Sequence, residues 1–365
     1  MIDIRNQKIG DIINSNTIIV NGDLNIDGII YSDIKTTFFE ILRNDFDKFS
    51  AVAIKNAEHE VEKCIRKILE KMEKEQCTHL TEKFQTLSIQ TFFHDTLIGY
   101  ISAEDENIKE SIIDILIDRL KFQDFSTEKS IISDAIKIIP HLNTTTSALI
   151  ALMMLRNQIV NVPISLMLED YFKQLSPIVD SFSNIKNIDI EYIIQNGCTK
   201  TIPGLLSIDT FENHLLKHYD LFFRNRVDKG VVDLFRSVHP EIMNQVNDIG
   251  TCMFCSDYME VNYWYFSDIN SKLFYDRLKS RGQCNLIPLI EELKEKMPPL
   301  TPTEVREYFN NLNTNWNHAF NILNSPALNR LSLSIVGQYL GTKFLGKYTA
   351  SSSLSISDFN NPIYL

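Results

Sequence analysis

The chain has 365 residues and a mass of 42.2 kDa, enough for two or three ordinary domains, so its core needs neither disulfides nor a structural metal. The 44% apolar and 23% charged residues are typical of a soluble globular protein, and the net charge of −11 opposes non-specific binding to nucleic acid. No apolar run approaches the roughly 18 residues of a membrane span, and no signal-peptide pattern opens the chain. We therefore predict a cytoplasmic protein whose six cysteines are reduced thiols.

Residues 1–31 have the composition of short strands and turns, with Asn, Gly, Asp and β-branched side chains dominating. The clearest unit runs from Thr17 to Ile26 around Asn21-Gly22, a pair typical of a type I′ hairpin turn. An isolated hairpin is marginal in water and leaves strand edges unpaired, so we predict that residues 1–31 pair between copies of the chain. The candidate interface residues are Ile18, Ile19, Val20, Leu24 and Ile26.

A single long helix is predicted over residues 33–76, where neither Pro nor Gly occurs. Apolar residues recur there every three or four positions, which is typical of one buried helix face. At 1.5 Å per residue this helix would be roughly 65 Å long. The stripe consists of Ile34, Phe38, Leu42, Phe46, Phe49, Ala53, Ala57, Val61, Cys64, Ile68 and Met72.

The rest of the chain reads as shorter helices, with one short strand at 261–266 and a boundary suggested by Asn161-Val162-Pro163. The predicted helices lie near 82–102, 106–122, 127–139, 144–157, 164–182, 188–196, 208–225, 230–247, 268–281, 286–296, 302–323 and 327–347. The fold class is therefore mainly α: a multi-helical body with one long N-terminal helix, preceded by a short β-rich segment. We divide it into residues 1–31, 32–158 and 159–365.

Two pairs of residues have metal-ligand spacing. Cys252 and Cys255 form a C-x₂-C pair, and His214 and His218 lie at i and i+4 of a predicted helix. Two thiolates and two imidazoles would suit tetrahedral zinc. However, 33 residues separate His218 from Cys252, and no Gly-rich knuckle surrounds the cysteines, so ordinary buried side chains are the simpler interpretation. We expect no stoichiometric zinc and assign no cofactor.

Other polar and aromatic groups also have two interpretations. Asp118 beside Arg119 could be a site acid held by an arginine, although an interhelical or local salt bridge fits equally well. The aromatic block 263–266 could stack a planar ligand, but such blocks more often fill a core. The chain has no Walker A, G-x-G-x-x-G, H-E-x-x-H or G-x-S-x-G motif, which disfavours the corresponding enzyme classes.

The last predicted helix has small residues at Ser334, Gly337 and Gly341. This spacing lets another backbone approach closely, in soluble packing as in membranes. Because Gln338, Lys343 and Lys347 interrupt the apolar run, we predict close packing within the body or across a dimer.

The order of several short motifs over nearly the whole chain resembles a bacterial family of hypothetical proteins of the LPO/Vpar type. The motifs are Gly28-Ile29-Ile30-Tyr31, Ile115-Leu116-Ile117-Asp118-Arg119, Ser133-Asp134-Ala135 with Pro140-x-Leu142, Leu333-Ser334-Ile335-Val336-Gly337 and Leu354-Ser355-Ile356. Where that family commonly has Asp-Pro-Asp-x-Gln, this chain has Thr86-Leu87-Ser88-Ile89-Gln90 and keeps only the Gln. The resemblance implies an all-helical body in a bacterial cytoplasm and, by analogy with proteins of bacterial conflict systems, a role in anti-phage defence. It supplies no catalytic residues.

Three functions therefore stay open. The leading hypothesis is a non-enzymatic, oligomer-forming interaction protein that acts as a sensor, adaptor or effector in phage defence. Its partner would be a second copy, joined through residues 1–31, or a phage or host protein. The alternatives are an enzyme with an unfamiliar site near His214, His218, Cys252 and Cys255, and an effector that perturbs membranes through its C-terminal helix.

Overall fold

A computed structural model describes residues 25–26, 29–30, 51–122, 126–157, 165–201, 209–238, 240, 253–255, 263–266 and 269–349. The chain divides into two compact units, residues 1–101 and 102–365. The described residues are mainly helical, as the apolar periodicity predicts. The predicted boundary between residues 158 and 159 lies outside the described residues and stays a prediction.

The N-terminal unit contains α1 (Ala51–Lys74), a 3₁₀ helix (Thr78–Gln85) and α2 (Leu87–Ser102). Within α1 the predicted stripe is buried over its described part, at Ala57, Val61, Cys64, Ile68 and Met72. The predicted first half of the long helix, residues 33–50, lies outside the described residues.

The end of α1 is a Schellman motif. Gln76 adopts a positive φ of 53°, and the backbone N–H of Cys77 donates to the carbonyl of Met72 at 2.9 Å. The N–H of Gln76 donates to Glu73 at 3.0 Å. The chain turns away at this point, so the helix ends two residues before the predicted position at residue 76.

A short hairpin belongs to the same unit. Strands β1 (Asn25–Ile26) and β2 (Ile29–Ile30) are antiparallel, with Asn25 opposite Ile30 and Ile26 opposite Ile29. Strand β1 also contacts the 3₁₀ helix Thr78–Gln85. The predicted hairpin around Asn21-Gly22 and the interface residues Ile18, Ile19, Val20 and Leu24 lie outside the described residues.

The C-terminal unit is built from short helices. They are α3 (Glu106–Lys121), α4 (Thr127–Ile138), α5 (Thr144–Asn157), α6 (Ser165–Gln174), α7 (Ser176–Asp180), α8 (Asn187–Gln195), α9 (Phe211–His218), α10 (Lys229–Val238), α11 (Ser271–Ser280), α12 (Ile287–Lys296), α13 (Pro302–Leu312), α14 (Trp316–Leu323) and α15 (Ile335–Gly346). Side-chain N-caps begin several of them, for example Asp105, Ser126 and Thr301.

Helix α15 packs against α5, α4 and α3. A Cβ at Gly337 would lie 1.9 Å from the carbonyl oxygen of Cys198, and one at Gly341 would lie 2.7 Å from Cβ of Met154 on α5. The Ser334 hydroxyl donates to the carbonyl of Gly197 at 2.6 Å. The prediction of close packing through these small residues is therefore confirmed within the body. No described helix has the length and apolarity needed to cross a bilayer.

Two predicted helices are interrupted where a residue leaves the helical conformation. Thr86 is extended, with φ −83° and ψ 137°, so the predicted helix 82–102 is a 3₁₀ helix followed by α2. Asn313 is also extended, and it separates α13 from α14 within the predicted helix 302–323. The Asn313 side chain accepts from the backbone N–H of Asn315 at 2.9 Å and from that position stabilises the turn.

Two further predicted helices are shorter than expected. The predicted helix 164–182 consists of α6 and α7, because Pro177 near the start of α7 cannot continue the hydrogen-bond ladder of α6. The helix predicted over 208–225 ends at His218. Tyr219, with φ −120° and ψ 48°, leaves the helical conformation there.

The described residues of this unit also form two small sheets. The first pairs β3 (Thr199–Thr201) with β7 (Leu331–Leu333), so the predicted helix 327–347 is wrong over its first residues. The second has the order β4 (Val227–Asp228), β6 (Tyr263–Phe266), β5 (Met253–Cys255). Strand β6 confirms the described part of the strand predicted over 261–266. Phe266 is buried among Leu221, Phe274 and Leu278, as the core interpretation of the aromatic block expects.

Candidate functional site

The two predicted histidine ligands lie together on α9. Thr210 caps this helix by accepting the N–H of Asn213 at 3.3 Å. One turn separates His214 from His218, and their ring centroids are 4.2 Å apart. The ring of His214 also stacks on Phe211. Both imidazoles are thus held in place by the helix and its aromatic neighbours.

The surroundings of this pair favour neutral imidazoles. Burial lowers the pKa of His214 to about 3, and the nearby His218, Arg156 and Lys217 act in the same direction, while Asp209 opposes them. Burial and Lys217 also lower the pKa of His218. Neutral imidazoles can accept hydrogen bonds or bind a metal. Neither could supply a proton as a general acid near pH 7.

The predicted cysteine ligands are only partly within the described residues. Cys255 lies in β5 opposite Trp264, and Cys252 lies outside the described residues. Among the residues that the structure describes, no group of three or more His, Cys, Asp or Glu side chains could hold a metal ion. The zinc hypothesis and the expectation of no zinc therefore both stay predictions.

A buried carboxylate lies two residues before His214 on the same helix. Glu212 is 3% exposed, and its two oxygens contact the guanidinium Nε of Arg306 and the amide of Asn324, the latter at 2.7 Å. Arg306 also donates to Asn321 at 2.8 Å. The Asn324 side chain in turn accepts the N–H of Phe211 at 2.7 Å. This network ties α9 to α13 and α14.

A second buried cation joins the same elements. Arg156, at the end of α5, donates to the carbonyl of Leu323 at 3.0 Å, to the carbonyl of Asp209 at 3.0 Å and to Asn329 at 3.2 Å. It therefore satisfies carbonyls at the end of α14 and just before α9. No sequence motif singles out Arg156, Glu212 or Arg306. An arginine that closes the apolar run from Ala148 to Leu155 was the available signal for Arg156.

Asp118 is held by α15. Its carboxylate accepts the Tyr339 hydroxyl at 2.8 Å and forms an ion pair with Lys343 at 2.5 Å. Burial and the Asp118 charge raise the pKa of Tyr339, so this phenol stays protonated. Asp118 thus forms an interhelical salt bridge, which was one of the two interpretations that the sequence left open. The cation of this salt bridge is Lys343.

A further polar cluster lies between α11 and α12. The Asp220 carboxylate accepts the backbone N–H of Ser271 at 2.8 Å and the Ser271 hydroxyl, and it lies 3.7 Å from Lys294. Lys294 also pairs with Glu291 at 3.2 Å, and Glu291 accepts the Tyr275 hydroxyl. Burial and Glu291 raise the pKa of Tyr275. These contacts join the start of α11 to α12.

One helix has an apolar face directed to solvent. On α10, Val231 is 37% exposed, Leu234 67% and Val238 62%. These residues are spaced by three and four positions and so share one side of the helix, which we name the α10 face. Helix α10 itself contacts β4 and β6. Contiguous exposed apolar residues of this kind are typical of interaction surfaces.

Comparison with known proteins gives a family and no function. A family model matches residues 28–358, and the chain therefore belongs to this family, which is uncharacterised. No curated protein matches the chain. No solved structure matches it either.

Proposed function

We propose that this family member is a non-enzymatic interaction protein that forms homo-oligomers through residues 1–31. The observation that carries the proposal is the hairpin of β1 and β2, which form a two-stranded sheet among the described residues. Each strand of such a sheet has one edge without a strand neighbour within it. Backbone groups at an unpaired edge pair readily with another strand.

The register identifies the groups that would pair. Residue pairs along an antiparallel ladder alternate between those that exchange backbone hydrogen bonds and those that do not. The pair next to a two-residue loop is a hydrogen-bonded pair. Here that pair is Ile26 and Ile29, so Asn25 and Ile30 direct their backbone groups to the outer edges. Because β1 also contacts the 3₁₀ helix Thr78–Gln85, pairing between hairpins would join the folded N-terminal units.

The polar clusters of the C-terminal unit also support a non-enzymatic role. Glu212, Arg156 and Asp118 have hydrogen-bond partners on other helices, and Lys294 is paired with two carboxylates. Groups that neutralise each other in this way stabilise helix packing.

The cellular part of the proposal rests on the resemblance to LPO/Vpar-type proteins. We infer that the uncharacterised family is of this bacterial type and that the protein acts in the cytoplasm as a sensor, adaptor or effector of phage defence, with a phage or host protein as a second partner. Plaque counts on bacteria that express the wild-type chain test this. Protection that is lost on assembly-breaking substitution supports it, and equal counts with and without the protein would remove it.

Light scattering of the full chain tests assembly. Ile30→Pro removes an outward N–H without removing a ladder bond, so we expect a smaller assembly. Ile30→Val, which keeps the N–H, is the matched control and should retain the wild-type mass. Deleting residues 1–31 should likewise leave a folded helical body in a smaller assembly. Wild-type mass for both Ile30→Pro and the deletion would contradict the proposal.

The enzyme alternative retains one favourable observation, the neutral and adjacent His214 and His218. A metal enzyme would require these imidazoles together with Cys252 and Cys255. Elemental analysis of the purified chain separates the hypotheses. We expect well under one zinc per chain, whereas a stoichiometric content that falls on His218→Ala substitution would favour the enzyme.

The membrane-perturbing alternative depends on α15. Residues Tyr339, Leu340, Phe344 and Leu345 are buried in the C-terminal unit, so their insertion into lipid would require α15 to leave its packing against α5. A vesicle-leakage assay tests this alternative directly, and we expect no leakage.

A further inference from the structure

We propose that His214 and His218 form a binding site for a divalent transition-metal ion, with the two imidazoles as its protein ligands and water in the remaining positions. The site lies on one side of α9 and requires neither Cys252 nor Cys255. It is independent of the proposed self-assembly through residues 1–31.

The helix brings the two rings to the same place. Residues four positions apart are neighbours on a helix surface, and the ring centroids of His214 and His218 are 4.2 Å apart. With metal–nitrogen bonds of about 2.0–2.1 Å, one ion holds two imidazole nitrogens about 3 Å apart. Two five-membered rings at the observed spacing can place one nitrogen each at that distance. The pair therefore has the spacing of a two-imidazole chelate.

The ring of His214 is held in place by its aromatic neighbour. It stacks on Phe211 with the centroids 6.3 Å apart and the planes 18° from parallel. Phe211 is fully buried, and its ring lies 5.3 Å from that of Phe320 on α14. A side chain that is already ordered loses less conformational freedom when it binds. This imidazole is therefore better prepared for an ion than a histidine on an open surface.

Neither imidazole has another polar partner among the described residues. The described contacts of the two rings are those with Phe211 and with each other, and no hydrogen bond or ion pair involves their nitrogens. Both histidines are partly exposed, so an ion can reach them from solvent. An ion that binds there displaces no protein donor from the described part of the chain.

The charges around the pair select the kind of ion. Burial lowers the pKa of both imidazoles, so neither has to release a proton before it binds an ion near pH 7. Arg156 and exposed Lys217 oppose a positive charge at His214, whereas Asp209 favours one. Binding must therefore depend on the preference of the ion for nitrogen. Imidazole suits Ni²⁺, Cu²⁺ and Zn²⁺, whereas Mg²⁺ and Ca²⁺ prefer oxygen ligands.

A site of this kind agrees with the low zinc content that we expect of the purified chain. Structural zinc sites use four protein ligands, and this site has two. An ion held by two ligands and water exchanges readily and is lost during purification. The site is therefore detected by adding metal to the protein.

Isothermal titration calorimetry of the full chain with Ni²⁺ tests the site, because Cu²⁺ would oxidise the thiols of a chain with six cysteines. We expect saturable binding of one Ni²⁺ that is at least about ten-fold weaker in His218→Ala and in His214→Gln, since losing a group that merely orients a metal ligand typically costs about 10–100-fold. His318→Ala removes an exposed imidazole on α14 and should keep the wild-type affinity. Circular dichroism checks the fold, and partly exposed His218→Ala decides if His214→Gln does not fold.

A double variant separates this site from the four-ligand zinc site. Wild-type Ni²⁺ affinity in Cys252→Ser/Cys255→Ser supports the two-imidazole site, whereas a loss as large as that of His218→Ala would overturn it in favour of the four-ligand set. Wild-type affinity in folded His218→Ala, or no saturable binding by the wild-type chain, would also overturn the proposal. The mass of the Ile30→Pro assembly tests self-assembly separately, so either proposal can fail without the other.

Discussion

Helices α15 and α10 both have apolar surfaces, but these surfaces differ in solvent exposure. On α15, Tyr339, Leu340, Phe344 and Leu345 are buried, and glycines let α5 and the backbone of Cys198 approach closely. On α10, an apolar side formed by Val231, Leu234 and Val238 is exposed. Apolar periodicity thus identifies the apolar side of a helix, and the fold determines whether other residues of the same chain cover that side.

The difference lies in how close the neighbouring backbone can come. Because Gly337 and Gly341 have no side chains, the neighbouring backbone and side chains lie very close to α15. An added side-chain atom at either position could be accommodated only if these closely packed groups moved. The α10 face consists of branched side chains that are exposed to solvent and contains no glycine. We therefore expect substitutions at Gly337 and Gly341 to lower the free energy of unfolding far more than substitutions on the α10 face.

Gly337→Ala should have the largest effect, because the added Cβ would lie 1.9 Å from the carbonyl oxygen of Cys198 and force a backbone shift. We expect the free energy of unfolding to fall by about 3 kcal/mol or more. Chemical denaturation measures this. Ile335→Ala, on an exposed residue of the same helix, should cost about 0.5 kcal/mol or less, and equal losses for both variants would show that the close approach is absent.

Glu212→Leu should have the next largest effect, because it leaves Arg306 and Asn324 without the carboxylate that they share. We expect a loss of about 2–3 kcal/mol, below the 3–5 typical of fully buried pairs because the Arg306 side chain is 31% exposed. The control is Glu169→Leu, which breaks a surface pair with Lys173 and should cost about 0.5 kcal/mol. Similar losses from both carboxylates would contradict the structural role of the network.

His214 should make stability depend on pH. Burial lowers its pKa from 6.5 to about 3, so the unfolded chain binds a proton in this interval that the folded chain excludes. Stability should therefore fall as the pH drops below about 6.5, with a limiting slope of about 1.4 kcal/mol per pH unit from this group. Because carboxylates titrate equally in both proteins, the difference between wild type and His214→Gln isolates the imidazole. Parallel stability curves between about pH 6 and pH 4 would contradict its burial.

Leu234→Ala should have the smallest effect on the stability of the chain, within about 0.5 kcal/mol, because the side chain is 67% exposed. The same truncation at buried Leu340 should cost about 2–5 kcal/mol. Thermal unfolding under conditions that dissociate the assembly compares the two. A large loss at Leu234 would mean that its own chain covers the face.

The sequence predicted local features well. Caps at Asp105, Ser126 and Thr301 start helices where the sequence places them, and the described part of the α1 stripe is buried. These features depend on residues within one or two helical turns of each other, so a short stretch of sequence is enough to predict them. The close approach of Gly337 was predictable for the same reason, although its partner was not.

Long-range pairings were beyond the sequence. Strand β3 pairs with β7 across some 130 residues, and Arg156 finds its acceptors at Leu323 and Asn329. The alternation Leu331-Ser332-Leu333 is typical of a strand, but it does not identify Thr199–Thr201 as its partner. Pro177 is a local signal for the break between α6 and α7 that the prediction of one helix over 164–182 did not use, whereas the extended conformations of Thr86 and Asn313 have no comparable local cause in the sequence.

Native mass spectrometry of the full chain is the sharpest test of self-assembly through residues 1–31, because it reports the number of copies and any retained metal in one spectrum. We expect a homo-oligomer for the wild-type chain, a smaller species for Ile30→Pro and wild-type stoichiometry for Ile30→Val. A wild-type spectrum dominated at every concentration by a single chain of 42.2 kDa would contradict it.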